Sequence, residues 1–295
     1  MNKAAVIVTY GVLAISLVIA NKKFLSRFRA PFVTMWMQSV VSSLLTWQGA
    51  TTGLLHINST RSLTAALTES FWLNVVCSFS LIFASLALQE VDASVFQIVA
   101  RSLTIPFSVI LSRVFLKVQP SLSALMGALV VTNGFVFTVI LDSTGPRIIF
   151  TQRGVFFGIL AAFVSALHAV LIKNKVGGKL SELELVFYGN IFFAITAWPL
   201  ILGESAQILE IVGCWDNLLV FLAGSLFTGT LAVAFNVAIM LQVKLTSPIT
   251  HTVSSAVRGV IQNLVCVLVL RETLTVGKVA GTVTVLVGTL LYMRK

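Results

Sequence analysis

Ten runs of largely apolar residues, each near the length that crosses a bilayer, follow one another through this chain with only short gaps between them. A helix needs about 20 residues to span the hydrocarbon core. The runs lie near 4–20, 31–53, 70–88, 93–116, 121–141, 154–173, 183–203, 216–242, 246–270 and 275–293. The chain therefore reads as an all-α integral membrane protein, a single transmembrane domain over 1–295 with no stretch left to bury a soluble core. Only 10% of its 295 residues are charged, against roughly 25% in a soluble domain. The net charge of +10 suggests a nucleic-acid binder at first sight. Its lysines and arginines, however, border the apolar runs as membrane-flanking residues do, and form no phosphate-tracking stripe. Cys77, Cys214 and Cys266 are too few and too scattered for a disulfide framework or a zinc site.

The two halves repeat. Asn21-Lys22 after the first run recurs as Asn174-Lys175 after the sixth, 153 positions later. Leu88-Gln89 recurs as Leu241-Gln242 and Ser94 as Ser247 at the same offset, and Gly127 and Gly134 recur as Gly281 and Gly288 at an offset of 154. The repeat divides the chain into 1–146 and 147–295, each holding five runs. Five is odd, so the second copy enters the membrane upside down. The expected fold is ten transmembrane helices in two inverted five-helix repeats, an arrangement of secondary transporters that hold substrate near the midplane. With a cytosolic N-terminus, ten loop or tail Lys/Arg fall inside and eight outside. The positive-inside rule thus barely selects an orientation, as expected when Lys22 and Lys175 lie on opposite sides.

Two arginines, Arg101 and Arg258, sit well inside the apolar runs, away from their ends. In the fourth, Ser94, Gln97, Arg101, Thr104 and Ser108 follow spacings of 3, 4, 3 and 4, one face of a helix. In the ninth, Ser247, His251, Ser254 or Ser255, Arg258 and Gln262 repeat the device, and inverted symmetry would set the two stripes facing each other across a cavity. All ten acidic residues fall in gaps or near the ends of runs, so no buried carboxylate is on hand for either arginine. A guanidinium keeps its charge and binds phosphate oxygens with a two-pronged fork. Two of them suit a diphosphate or a phosphate ester. Proton or sodium coupling usually runs through buried Asp or Glu, so exchange of one anion for another is the simplest mechanism left. His251 is either a substrate donor or a satisfied core histidine. Gly277 with Gly281, and Gly127 with Gly134, read as close helix packing. A polytopic enzyme would need convergent chemistry, and His56, His168 and His251 lie in separate segments. An anion channel could use the same arginines; dependence on a counter-substrate separates the two.

The segment "LTSPITHTVSSAVRGVIQN", followed by "VLRETLTVGKVAGTVTVLVGTLLY", resembles the last two spans of nucleotide-sugar transporters and plastid phosphate translocators of the drug/metabolite transporter superfamily. "FQIVARSLTIPFSVILSR", "SALHAVLIKNKV" and "LVFYGNIFFAITAWPLILGE" look most like Golgi GDP-fucose transporters. The resemblance implies a multi-pass Golgi membrane protein, with the endoplasmic reticulum as the other compartment, that exchanges a nucleotide sugar for a nucleoside monophosphate. It implies no metal, no bound cofactor, no nucleic acid, no enzymatic step, and a homodimer as the family's assembly. GDP-fucose against GMP is the leading pair, and GDP-mannose, a UDP-sugar or a phosphorylated sugar such as triose phosphate are the alternatives. Plastid translocators carry Lys-Arg where this chain has Arg258-Gly259, and GDP-mannose transporters carry Gly-Ala-Leu-Asn-Lys where it has Ser-Ser-Ala-Val-Arg. A Phe-Tyr-Asn-Asn motif of GDP-sugar carriers appears as Phe187, Tyr188, Gly189 and Asn190. The resemblance gives Asn190 the reading of guanine. Lys173 and Lys175 match a lysine pair that guides phosphates, or they snorkel at the membrane edge.

Overall fold

The computed structural model describes all residues except 1–2, 56–61, 118, 144–150, 176–180, 246–247, 272, 274 and 294–295, and the side chains of a smaller set. Among the described residues the regular structure is helical: α1 (Lys3–Phe28), α2 (Pro31–Thr51), α3 (Leu63–Glu69), α4 (Phe71–Glu90), α5 (Ala93–Leu116), α6 (Leu122–Ser143), α7 (Gln152–Lys175), α8 (Glu182–Thr196), α9 (Trp198–Leu202), α10 (Ser205–Gly213), α11 (Trp215–Leu245), α12 (Pro248–Leu270) and α13 (Val276–Met293). Each apolar run coincides with a helix. The seventh breaks in two at Ala197, because Pro199 has no N–H to donate and sits in the first turn of α9. The short α3 and α10 fill gaps read as loops from sequence.

Four segments are long and apolar enough to cross a membrane by length and composition: Ala5–Phe28, Phe71–Glu90, Gln152–Leu171 and Trp215–Ala238. Shorter apolar stretches lie in α5, α6, α8, α12 and α13. Large apolar side chains such as Trp72, Leu122, Phe156, Trp215 and Leu268 stand exposed, which a protein solvated by lipid tolerates and a water-solvated one does not.

The chain forms two compact units, one of Met1–Ser78 with Gly177–Lys244, the other of Phe79–Val176 with Leu245–Lys295. In the first, Phe24, Phe28 and Phe221 meet at centroid distances of 5.0–5.2 Å, and Tyr10 stacks on Phe235 at 5.7 Å. These contacts run α1 antiparallel to α11. Polar bonds fix α2: Trp36 Nε1 donates to Ala194 O at 2.8 Å, and Gln38 Nε2 donates to Thr228 O at 3.2 Å. Ala194 O lies in the last turn of α8, where carbonyls lack intrahelical partners, so the indole caps that helix.

In the second unit α5 lies against α7 and α6 against α13. The α6–α13 contact is built on glycine. A Cβ placed on Gly127 would lie 2.4 Å from Tyr292 N and 2.7 Å from Gly288 O, and one on Gly134 would lie 3.0 Å from Gly281 O. The numbering rises along α6 as it falls along α13, so the helices are antiparallel with backbones in direct contact. Three basic residues end helices in the left-handed region: Arg29 after α1, Lys117 after α5 and Arg271 after α12, with φ of 49°, 53° and 54°. A cation there faces the negative end of the helix dipole.

Candidate substrate-binding site

The ninth run forms α12, whose first residue is Pro248, a position where a missing N–H costs nothing. Arg258 lies mid-helix and is half-buried. One turn on, Gln262 is fully buried and Asn263 nearly so, with Asn263 Nδ2 donating to Thr282 Oγ1 on α13 at 2.7 Å. α12 packs beside both α13 and α5. The two arginine-bearing helices are thus neighbours within one unit. α5 runs as one helix through Pro106. The side chains of Ser94, Gln97 and Arg101 on α5, of His251, Ser254 and Ser255 on α12, and of Lys173 and Lys175 on α7 lie outside the described residues.

The other sequence candidates fall on α8. A reciprocal cap starts this helix: Ser181 Oγ accepts from Glu184 N at 3.3 Å, and Glu184 Oε2 accepts from Ser181 N at 2.6 Å. That cap fixes the register of Phe187, Tyr188, Gly189 and Asn190. Phe187 stacks on Trp47 of α2 at 6.3 Å, and Phe187 and Tyr188 pack with Ala66 of α3. Tyr188 is buried in this cluster, and Asn190 is half-buried. The structure therefore groups Tyr188 and Asn190 on α8 in the first unit, and places Arg258 on α12 in the second.

Three polar features were not singled out from sequence. From the end of α3 into α4, Ser70, Asn74 and Ser78 form a ladder: Ser70 Oγ donates to Ala66 O at 2.7 Å, Asn74 Nδ2 to Ser70 Oγ at 2.9 Å, and Ser78 Oγ to Asn74 O at 2.9 Å. Their spacing of four was a legible signal in "SFWLNVVCS". Second, Lys278 is 2% exposed and donates to Asp92 Oδ2 at 2.8 Å and to Thr273 O at 2.9 Å. Third, Glu204 caps the N-terminus of α2, accepting from Phe32 N at 3.0 Å and Val33 N at 2.9 Å. Burial pushes its carboxyl above the ordinary value, and the two backbone N–H groups pull it back. No local pattern announces either of these long-range pairings.

Comparison with known proteins adds to this geometry. A GDP-fucose transporter 1 of Dictyostelium discoideum is 30% identical over 301 residues, spanning 98% of this chain and 79% of that protein. A GDP-fucose transporter 1 of Mus musculus is 30% identical over 285 residues, spanning 91% and 76%. An uncharacterized transporter of Schizosaccharomyces pombe is 29% identical over 287 residues, spanning 95% and 71%. One solved crystal structure superposes with a TM-score of 0.57 at 14% identity, covering 99% of this chain and 95% of the other. That likeness speaks for the fold alone. The model of the Triose-phosphate Transporter family matches residues 1–293, and the chain belongs to that family of membrane transporters.

Proposed function

We propose that this protein is a nucleotide-sugar antiporter of the Golgi membrane that exchanges GDP-fucose for GMP, with Arg258 and Arg101 holding substrate phosphates. The observation that carries the reading is Arg258, half-buried in the middle of an apolar helix. An ionisable group at such a position is costly, and it characteristically marks a substrate path. The relatives supply the cargo: proteins from Dictyostelium discoideum, Nematostella vectensis and Mus musculus at 27–30% identity are GDP-fucose transporters, and one from Drosophila melanogaster is a Golgi GDP-fucose transporter. In this reading Asn190 contacts the base, with Tyr188 packed behind it. Gln97, Ser94, His251, Ser254 and Ser255 line the polar stripes, and Lys173 and Lys175 guide phosphates. Loading the carrier neutralises its buried cations, so the empty form reorients slowly and exchange is favoured over net flux.

The architecture belonging to this proposal is ten spans in two inverted repeats, 1–146 and 147–295. Reciprocal packing supports it. Gly127 meets Gly288 while Gly134 meets Gly281, whereas the offset of 154 pairs Gly127 with Gly281 and Gly134 with Gly288. A two-fold axis produces that pattern of exchanged contacts. A homodimer belongs to the proposal by family resemblance.

The test is uptake of labelled GDP-fucose into proteoliposomes with and without internal GMP, using wild type and Arg258→Ala, with GDP-mannose, UDP-galactose and triose phosphate alongside. Uptake that requires GMP, prefers GDP-fucose and disappears in Arg258→Ala supports the reading. Uptake independent of GMP removes the exchange mechanism. Full activity in a folded Arg258→Ala removes the phosphate anchor, and exchange of another cargo alone removes GDP-fucose.

A further inference from the structure

Gly189 is an uneconomical residue. Inside a helix, glycine is less favourable than alanine, so it persists where a side chain would collide or where bare backbone is needed. Collision explains most helical glycines here. A Cβ would come within 2.4–2.5 Å of a neighbour at Gly127, Gly154, Gly224, Gly229 and Gly288, well inside ordinary contact. At Gly189 it would meet a single atom, Asn74 Oδ1, at 3.5 Å, an ordinary van der Waals separation. Packing would admit alanine. What glycine accomplishes is to place no side-chain atom of its own against that amide oxygen.

Asn74 is 2% exposed, on a helix apolar enough to span the membrane. A buried amide there is expensive unless its polar atoms are matched. Ser70 Oγ spends its hydrogen on Ala66 O at 2.7 Å, so it can only accept from Asn74, at 2.9 Å. The amide nitrogen must therefore point to Ser70 and the oxygen toward Gly189. Donation from Ser70 to Ala66 fixes one acceptor, aimed at the helix that carries Asn190.

We infer that Asn74 Oδ1, kept open by Gly189, is a specificity-determining acceptor for the exocyclic amine of a guanine base, acting beside Asn190. The inference rests on the nucleotide-sugar reading above and names the group that selects its base. A lone oxygen acceptor favours an N–H-rich edge. Guanine offers N1–H and the 2-amino group side by side, whereas the uracil edge has one N–H between two carbonyls that an amide oxygen repels. The side-chain-free position at Gly189, where a Cβ would meet only Asn74 Oδ1, suits a donor that projects beyond the ring, as the 2-amino group does.

The test compares GMP, IMP and UMP as competitors of labelled GDP binding to the purified full chain, in wild type, Asn74→Ala and Gly189→Ala. IMP lacks only the 2-amino group. Wild type should favour GMP over IMP by about tenfold, the ratio equivalent to about 1.4 kcal/mol and within the range of one buried hydrogen bond. Asn74→Ala should bring the ratio close to one. Gly189→Ala should do the same while raising the melting temperature, because its methyl group occupies the place of the donor and improves helix propensity. Gain of stability with loss of discrimination is a combination that a purely structural role for Gly189 does not produce. An unchanged GMP/IMP ratio in folded Gly189→Ala overturns the inference and leaves the nucleotide-sugar reading standing. Preference of wild type for UMP over GMP overturns the guanine reading itself, and this inference with it.

Discussion

Gly127→Ala puts a methyl group where the α6–α13 contact has no room for one. The added Cβ would lie 2.4 Å from Tyr292 N, 2.5 Å from Tyr292 Cα and 2.7 Å from Gly288 O, about 1 Å short of the ordinary 3.4 Å contact. All three are backbone atoms, so no rotamer change relieves the clash and the helices must move apart. Overpacking costs about 1–3 kcal/mol, and a backbone clash belongs at the upper end. Alanine's better helix propensity returns about 1 kcal/mol, leaving a net loss of about 2 kcal/mol. Gly11→Ala is the matched control: a Cβ there meets nothing within 4 Å, so propensity alone acts and stability should rise by about 0.5–1 kcal/mol. The two variants should differ by about 2.5–3 kcal/mol, a factor of roughly 60 to 150 in the unfolding equilibrium. Reversible unfolding in mixed micelles of mild detergent and dodecyl sulfate measures that difference directly. Gly127→Ala as stable as Gly11→Ala would refute the close backbone contact and the α6–α13 geometry drawn from it.

Gly288→Ala should destabilise similarly, and the Gly127→Ala/Gly288→Ala pair should cost less than the sum, because helices already forced apart admit the second methyl group; a double-mutant cycle in the same micelles reads the coupling. Lys278→Met leaves Asp92, itself partly solvated at 29% exposure, without its cation; it should lower the melting temperature, and Asp92→Asn in addition should recover part of the loss. The Glu204 carboxyl, raised by burial, binds its proton more tightly folded than unfolded, so its contribution to stability is complete below the unfolded carboxyl pKa of about 4.3 and is lost as pH rises through the higher folded value. Glu204→Gln should flatten that part of the melting profile against pH, and a slope unchanged by the substitution would assign it to another group.

Residue patterns carried much of the helical layout and less of the wiring. Apolar runs fix helices because lipid leaves the backbone no external partner, and every run has one. The seventh run shows the limit. Its composition reads as continuous, yet Pro199 divides it, and only backbone geometry shows where. Arg258 was conspicuous because a charge among apolar neighbours is costly. Asn74 was not, since a single amide between serines barely disturbs the hydropathy of its run; its meaning depends on Gly189, 115 positions away. Glu204 reads as a solvated loop carboxylate until α2 is placed over it, and Lys278 as a membrane-edge lysine until Asp92 arrives beside it. Pairings between distant segments leave no local periodicity to detect.

The repeat is where sequence and packing constrain each other most tightly. An offset of 154 by itself could reflect duplication with either relative orientation. The exchange of partners is more demanding. A two-fold axis carries Gly127 onto Gly281 and Gly134 onto Gly288, and must therefore bring Gly127 to Gly288 whenever it brings Gly134 to Gly281, with the helices antiparallel. Those are the contacts α6 and α13 make. The same offset relates Lys117 to Arg271, which leave α5 and α12 at φ of 53° and 54°. A left-handed basic residue is uncommon, and among the described residues two of the three, Arg29 being the exception, fall at matching helix ends. The ion pair of Asp92 and Lys278 has no such counterpart: the corresponding positions hold Leu245 and Ala124. The α6–α13 contact thus fits the two-fold of the proposed repeat, while the bond between Asp92 and Lys278 does not. A carrier whose two halves were equivalent in every bond would have no basis for preferring one face of the membrane, and such departures are where that preference can reside. Replacing Lys278 and Asp92 together by Ala and Leu, the residues of the opposite repeat, should therefore change the ratio of inward- to outward-facing accessibility, read by labelling single cysteines introduced at each mouth. An unaltered ratio in a variant of normal stability would confine this pair to a structural role.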